Sequence, residues 1–207
     1  MKKAKLKPGA RVLDVGCGQG FFSGLFSELG LMTRGVDISV EAVRSAERDY
    51  ASRLARFEVG DVSALPYEGT FDCVFARGLS LYNSDEFAGA RQITDVLLAY
   101  LKPGGVMIFD YYSKLCPSKK SGSWIYHSLS DVKRHFSSYP GARVYFSLRL
   151  ETLVFGSWSF CGPFTRLAGL ISRSTGVGGE LIAFVPRSSL NGREHLSGVR
   201  GKEVTAR

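Results

Sequence analysis

The sequence predicts an α/β fold: a doubly wound, mostly parallel sheet of seven strands with an antiparallel last strand. Two observations lead to this prediction. Short apolar runs alternate with amphipathic helical segments over the first two-thirds of the chain, and a glycine-rich turn joins the first run to the first helix. The strand-like runs are RVLDV (11–15), TRGVD (33–37), ARFEVGD (55–61), FDCVFA (71–76), VMIFDYY (106–112), ARVYFSLRLETLVF (142–155) and GELIAFVPR (179–187).

Five segments between and after these runs have the apolar spacing of helices. Ser39 is the expected N-cap of the second helix and Ser84 of the third, since a serine side chain accepts from the first free backbone N–H groups. Pro103 and Gly104 then force a turn. The helical segments are FFSGLFSEL (21–29), VEAVRSAERDYASRL (40–54), SDEFAGARQITDVLLAYL (84–101), SDVKRHFSSY (130–139) and PFTRLAGLISRS (163–174).

Length and charge indicate one domain with a basic tail. The 207 residues, 44% of them hydrophobic, suffice for a single α/β domain, which we place at residues 1–187. The net charge is +8, and much of the excess lies in MKKAKLK at the start and in residues 188–207, which we predict to be disordered. Because the basic residues form no stripe interleaved with aromatics, nucleic acid is a possible but less favoured partner.

Cysteine usage and hydropathy favour a reduced, cytoplasmic protein. The four cysteines are scattered and form no CxxC pair, so no metal site is predicted. Neither a signal peptide nor a membrane span is recognisable in the sequence.

The turn after the first strand predicts an adenosine-binding site. Asp14, Gly16, Gly18 and Gly20 form the pattern D-x-G-x-G-x-G, in which glycines allow close approach of the backbone to a ligand. Asp37 ends the second strand, where its carboxylate can accept both hydroxyls of a ribose. The pattern differs from the G-x-G-x-x-G of dinucleotide folds, and Asp14 would repel a pyrophosphate but attract an ammonium group.

A further acid, Asp61, ends the third strand in GDVSALPY, where it can accept from an adenine amino group. Capping of the short turn that follows is the alternative role for this side chain.

Taken together, these motifs resemble those of class I S-adenosylmethionine-dependent methyltransferases of the small-molecule kind, which have a Rossmann-like fold. VLDVGCGQG, GVDIS, VGDVSALPY, FDCVFA and LKPGG occur in the family's order and spacing. The resemblance covers residues 8–112 well and residues 113–186 in outline. It implies that the cofactor is S-adenosyl-L-methionine.

The resemblance also implies a role for individual positions. Gly16, Cys17 and Gly18 would lie against the amino-acid part and ribose of the cofactor, and Asp37 would bind the ribose hydroxyls. Ile38 would cover the adenine face, Asp61 would take the adenine amino group, and Val62 would lie nearby. The backbone at Ala76 and Arg77 would receive the methionine ammonium.

Aromatic residues after the later strands predict an acceptor pocket. The carboxyl ends of parallel strands meet at one edge of the sheet, so these side chains are expected there. We expect an aromatic or lipophilic acceptor, with His127 as the candidate base because histidine titrates near neutrality; packing in the core is the alternative for these residues. The predicted substrate-binding residues are Tyr82, Tyr111, Tyr112, Trp124, Tyr126 and Trp158.

The sequence leaves several functions open. Methyl transfer to a small organic molecule is the main hypothesis, and a non-catalytic S-adenosylmethionine-binding partner subunit, an RNA methyltransferase and an NAD-dependent reductase are the alternatives. Only MKKAKLKPGA precedes Arg11, whereas the family usually has a helical lid there. We therefore expect a lid that is short, absent, or completed by a second subunit in a homodimer or by a partner chain.

Overall fold

The computed structural model describes residues 4–113, 124–147 and 180–187. Within them the chain forms seven strands and four α-helices. The strands are β1 (Arg11–Val15), β2 (Met32–Asp37), β3 (Ala55–Val59), β4 (Phe71–Arg77), β5 (Leu101–Tyr112), β6 (Arg143–Ser147) and β7 (Glu180–Pro186). The helices are α1 (Phe21–Glu28), α2 (Val40–Tyr50), α3 (Ala90–Ala99) and α4 (Leu129–Phe136).

All seven strands belong to one sheet with the order β3-β2-β1-β4-β5-β7-β6. The pairs from β3 to β5 are parallel, and β7 is antiparallel to both β5 and β6. The predicted fold class is therefore confirmed. Because β1 pairs with β2 on one side and β4 on the other, strand order reverses at β1, and a crevice opens there beyond the carboxyl ends of the strands.

The central strands read as continuous apolar runs because helices cover both faces of the sheet. Alternate residues of β1 point to opposite faces: Leu13 lies in the core beneath α3 and α4, whereas Val12 lies in the core beneath α1. On the α1 side, Phe26 packs edge-on against Phe75 of β4, with ring centroids 5.1 Å apart. This packing fixes the height of α1 above the sheet, and with it the turn that precedes the helix.

Helix α2 begins as predicted but ends earlier. The Ser39 side chain accepts from Ala42 N at 3.2 Å, as expected of an N-cap. The helix ends at Tyr50, four residues before the predicted end, because Ala51 takes extended backbone angles.

The prediction that the third helix begins after Ser84 is wrong. Residues 85–87 form a short 3-10 turn, and α3 begins only at Ala90. Phe87 and Gly89 both have positive φ angles, 60° and 75°, which no right-handed helix contains. The Ser84 hydroxyl donates to Ala88 O and so is not the cap of α3.

The later elements agree in part with the prediction. Strand β5 extends back to Leu101, and α4 is fixed by a capping box between Ser128 and Asp131, which have the Ser-x-x-Asp spacing typical of such a box. The strand predicted for 142–155 is described as far as Ser147, and β7 matches the prediction for 179–187. The helix predicted for 163–174 and the tail 188–207 lie outside the described residues. None of the helices in the described ranges has the length and apolar character needed to cross a membrane.

Gly20 provides a test of this packing. It precedes α1 with φ of 85°, and a methyl group on it would lie 2.7 Å from Cβ of Ala46 in α2. We expect Gly20→Ala to lower the free energy of unfolding by about 2–4 kcal/mol, from the left-handed backbone and the overlap with α2 together. Gly104→Ala is the matched control, because Gly104 has φ of 78° and open space around it; its loss should be about 1 kcal/mol. Equal losses in urea unfolding would contradict this account.

Candidate functional site

A cavity of about 280 Å³ lies at the carboxyl ends of β1, β2 and β4, where strand order reverses. This volume is at the lower end of the range for small-molecule sites, about 300–1,000 Å³. A broader depression of about 520 Å³ lies over the start of α2, but polar and charged surface residues line most of it. The smaller cavity is lined by Gly16, Asp37, Ile38, Gly60, Asp61, Val62, Gly78, Leu79, Ser80, Leu81 and Trp124.

The glycine-rich turn is fastened to the end of β2 through its backbone N–H groups. Gly16 N and Cys17 N both donate to the carbonyl oxygen of Val36, at 2.8 and 3.0 Å. Gly18 N donates to Asp37 Oδ2 at 2.8 Å. These three donors are therefore already engaged, whereas phosphate-binding turns direct such groups at the ligand.

The shape of the turn leaves room for a ligand. Gly16 and Gly18 have φ angles of 67° and 53°, in the left-handed region that favours glycine. A methyl group on Gly18 would meet no atom within 4 Å, so the space in front of the turn is open. A methyl group on Gly16 would lie 2.9 Å from Cδ1 of Leu79 across the cavity. The turn thus forms a cradle that side chains would fill.

Asp37 and Ile38 lie together at the end of β2. Each carboxylate oxygen of Asp37 accepts one backbone N–H, Oδ2 from Gly18 and Oδ1 from Ser39 at 2.9 Å. A carboxylate has about four lone-pair sites, so capacity remains for two more donors. Ile38 is 75% exposed, which is unusual for isoleucine and presents a bare apolar surface at the cavity.

Asp61 faces the cavity but is also a turn residue. Its Oδ1 accepts from Ser63 N at 2.8 Å and from Ser63 Oγ at 2.7 Å. These bonds lower the pKa of Asp61 and hold the side chain in place. The capping role considered for this residue is therefore present, and the carboxylate lines the cavity together with Val62.

Asp14 lies beneath the turn rather than in the cavity wall. It is 3% exposed and accepts from the Ser23 hydroxyl at 2.6 Å. Burial raises its pKa to about 6, and the nearby charge of Asp37 adds to the increase. The charge balance of the site is thus acidic: the described wall contains two carboxylates, Asp37 and Asp61, and no basic side chain.

Ala76 and Arg77 end β4 at the same edge of the sheet. Ala76 is buried, and the Arg77 side chain belongs to an ion-pair cluster. Its guanidinium donates to Asp110 Oδ2 at 3.1 Å and to Glu180 Oε1 at 2.8 Å. It also stacks over the rings of Phe22 and Tyr112, 5.0 and 5.3 Å from their centroids. The cluster joins β4, β5 and β7.

The predicted acceptor residues are only partly brought together. Trp124 lines the cavity, and Tyr111 packs against it with ring centroids 5.7 Å apart. Tyr112 and Tyr126 lie near each other on the Arg77 side, with centroids 6.3 Å apart. Trp158 lies outside the described residues.

Tyr82 is a correction to the predicted pocket. It is fully buried, and its hydroxyl pairs with Thr94 Oγ1 at 2.9 Å in the core beneath α3. The short 3-10 turn at residues 80–82 rotates Leu81 outward and Tyr82 inward, so Leu81 lines the cavity instead.

His127 is also a core residue, so we assign it no catalytic role. It is 1% exposed, its ring stacks on Phe87 at 3.8 Å, and its Nε2 lies 2.9 Å from the carbonyl oxygen of Tyr82. Because a carbonyl only accepts, Nε2 carries the proton. The packing alternative considered for this histidine is therefore the one the structure shows.

From the segment after β4, Tyr82 was predicted to face the pocket, but its neighbours line the cavity instead. Gly78, Leu79, Ser80 and Leu81 all line it. A signal was present in the sequence, since a glycine directly after a buried strand marks a close backbone approach; Gly78 has φ of 55° and open space around it.

Comparison with known proteins agrees with this geometry. A family model described as a methyltransferase domain matches residues 6–142. Phosphoethanolamine N-methyltransferase 1 of Zea mays is 34% identical over 125 residues, 58% of this chain and 24% of that protein. The 2-methyl-6-phytyl-1,4-hydroquinone methyltransferase of Synechocystis sp. is 35% identical over 106 residues, 50% of this chain and 32% of that protein.

A solved structure shows the same fold. Phosphoethanolamine N-methyltransferase 2 of Haemonchus contortus, in complex with S-adenosyl-L-methionine, superposes with a TM-score of 0.60 and 20% identity, over 89% of this chain and 50% of that one. The chain thus spans about a quarter to a third of the two sequence relatives above. It belongs to the methyltransferase domain family. Its fold is that of class I S-adenosylmethionine-dependent methyltransferases, and the Haemonchus contortus relative contains S-adenosyl-L-methionine.

The raised pKa of Asp14 predicts a pH-dependent penalty on stability. The native state binds the Asp14 proton more tightly than the unfolded state does. The free energy of unfolding therefore falls as pH rises from about 4 to about 6, where the unfolded state loses this proton first. Asp14→Asn removes the buried charge and leaves a side-chain oxygen that can accept from Ser23. We measure the free energy of unfolding in urea for both proteins and subtract the wild-type value from that of Asp14→Asn. This difference should be about 1 kcal/mol larger at pH 7 than at pH 5. A constant difference would show that Asp14 titrates normally.

Proposed function

We propose that this chain binds S-adenosylmethionine in the cavity at β1, β2 and β4 and transfers its methyl group to a small organic acceptor with an aromatic or lipophilic body. One observation carries the cofactor part of the proposal. The turn's N–H groups are engaged by Val36 and Asp37, and the described wall is acidic. A cavity with these properties disfavours a dinucleotide pyrophosphate and suits an adenosine compound that carries positive charge.

The described residues fit the parts of this cofactor. Asp37 has acceptor capacity left for the ribose hydroxyls, and Ile38 and Val62 offer apolar surface to the adenine. Asp61 is held at the cavity by Ser63, where it can accept from an amino group. Asp14, beneath the turn, contributes negative charge toward the methionine ammonium, for which the backbone at Ala76 and Arg77 is the proposed contact. When bound, the cofactor supplies an activated methyl group.

The apolar part of the cavity wall favours an apolar acceptor. Leu79, Leu81 and Trp124 belong to it. A phosphate-bearing acceptor would need cationic partners, yet no basic side chain lines the described cavity, and Arg77 at the end of β4 is already paired with Asp110 and Glu180. Of the acceptors named for the relatives, a hydroquinone therefore suits this wall better than phosphoethanolamine.

The chain's own part in the reaction is positioning. No histidine lines the described cavity, and its two carboxylates are assigned to the cofactor, so an acceptor that must lose a proton would pass it to water. Alignment of acceptor and cofactor and exclusion of water account for the rate in this proposal.

Binding of the cofactor is tested by calorimetry on the wild type and on Asp37→Asn. Loss of one charge-assisted acceptor should raise the Kd for S-adenosylmethionine and for S-adenosylhomocysteine by about 10- to 100-fold. Asp49→Asn is the matched control, because Asp49 is an exposed carboxylate of α2 paired with Arg48. Unchanged affinity in Asp37→Asn, with binding retained, would place the ribose elsewhere.

Catalysis is tested by transfer of a labelled methyl group to a panel of acceptors. We expect hydroquinones and phenols to be methylated in preference to phosphoethanolamine and ethanolamine. Cofactor binding without transfer to any acceptor would instead favour the alternative of a non-catalytic partner subunit. Preferential transfer to phosphoethanolamine would refute the apolar-acceptor proposal while leaving the cofactor site intact.

A further inference from the structure

Two buried polar atoms at the Trp124 end of the cavity have no hydrogen-bond partner in the described chain. They are the Tyr111 hydroxyl oxygen and the Trp124 indole nitrogen. Tyr111 is 1% exposed at the carboxyl end of β5, and Trp124 forms part of the cavity wall. Both atoms are closed to water, so solvent does not satisfy them either.

The two side chains are firmly held beside each other. Their rings lie 5.7 Å apart at an interplanar angle of 18°. Tyr111 also stacks on Phe109 at 5.7 Å and 4°, which fixes it from the other side. The segment that carries Trp124 is anchored at its neighbour, because Ile125 N donates to Asn83 Oδ1 at 2.6 Å.

Other polar groups of the same core are satisfied. The Tyr82 hydroxyl pairs with Thr94, the His127 ring with the Tyr82 carbonyl, and the Tyr100 hydroxyl donates to Val62 O at 3.1 Å. Unpartnered buried groups are rare in folded proteins, and each one requires an explanation such as a bound water or ligand. The Tyr111 and Trp124 rings lie side by side, and Trp124 belongs to the wall of the cavity proposed for the acceptor.

We propose that the Tyr111 hydroxyl and the Trp124 indole N–H both donate to one oxygen of the methyl acceptor. This inference rests on the proposed function and narrows the substrate class. An indole N–H only donates, so the recognised atom must be a hydrogen-bond acceptor: a carbonyl, hydroxyl or phenolate oxygen on an apolar ring. An ammonium group has no acceptor and cannot fill this position.

Entry of the oxygen requires a local displacement. Because the two polar atoms are covered in the free chain, the acceptor reaches them by moving side chains at the Trp124 end of the cavity. Two new hydrogen bonds offset part of the free energy that this displacement costs. The same site then discriminates strongly against an analogue that lacks the oxygen, since that analogue leaves both donors unpaired.

The test compares p-cresol with toluene, two probes that share a methyl-substituted ring and differ by one hydroxyl oxygen. Their affinities are measured by NMR titration of the full chain, with and without S-adenosylhomocysteine. The wild type should bind p-cresol at least about tenfold more tightly than toluene, and Tyr111→Phe and Trp124→Phe should each reduce that ratio by about three- to tenfold. In Trp124→Phe both probes contact the same smaller ring. The loss of apolar contact area therefore affects both affinities alike and leaves their ratio unchanged.

A stability measurement separates recognition from a structural role. Tyr111→Phe removes an unpartnered hydroxyl, so the melting temperature of the ligand-free chain should stay the same or rise. Tyr139→Phe is the matched control: its hydroxyl donates to Asp95 Oδ1 at 3.0 Å, so this variant should melt at a lower temperature and keep the probe ratio of the wild type.

Three results would overturn the proposal: equal affinity of the wild type for the two probes, an unchanged ratio in both cavity variants, or destabilisation by Tyr111→Phe comparable to that by Tyr139→Phe. A wild type that binds neither probe would overturn it as well. These readouts do not involve methyl transfer, so a chain that discriminates between the probes but binds no S-adenosylmethionine would refute the proposed function alone.

Discussion

The site depends on the attachment of the β1–α1 turn to the end of β2. One carbonyl oxygen, that of Val36, accepts from Gly16 and Cys17, and one carboxylate, that of Asp37, accepts from Gly18. The attachment sets the shape of the turn and at the same time uses the donors with which similar turns hold phosphate. The kind of ligand that the crevice accepts is therefore decided by backbone hydrogen bonding rather than by any single side chain directed at a ligand. Asp37 belongs both to this attachment and to the cavity wall. The same residue therefore holds the turn in place and provides the proposed contact to the ribose.

The two ends of the cavity have different chemistry for separate structural reasons. The acidic end arises from residues that terminate β1, β2 and β3, where Asp14 is buried and Asp37 and Asp61 face the crevice. The apolar end arises from the segment after β4 and from Trp124, which approaches from the chain between β5 and α4. Arg77, at the end of β4, is not among the residues that line the cavity, and its charge is balanced by Asp110 and Glu180.

The residues predicted for the cofactor lie within or just beyond the ends of strands, and several of them meet in one cavity because the carboxyl ends of parallel strands lie at one edge. The acceptor half was predicted less well. Tyr82 and Leu81 are adjacent in sequence, and only the 3-10 turn decides which of them faces the cavity. His127 is buried by stacking on Phe87, which lies 40 positions earlier in the chain, and no local pattern reports such a contact.

The start of α3 was misjudged because Phe87 and Gly89 adopt positive φ within a stretch whose apolar spacing still suits a helix. Trp158 and the residues from 188 onward remain predictions.

The position of β7 has a consequence for the order in which the molecule is made. It is the last of the described strands, yet it lies inside the sheet between β5 and β6, and Glu180 at its start completes the ion-pair cluster around Arg77, 103 residues earlier. During synthesis the strands from β1 to β5 leave the ribosome first and can assemble through parallel pairings, whereas β6 has no neighbour in this sheet until β7 arrives. The nascent chain therefore exposes the open edge of β5 for the time needed to translate about seventy further residues, at about 5–20 residues per second. An uncovered strand edge of that kind is a template for unwanted pairing, so the vulnerable stage for aggregation is this interval rather than the finished fold.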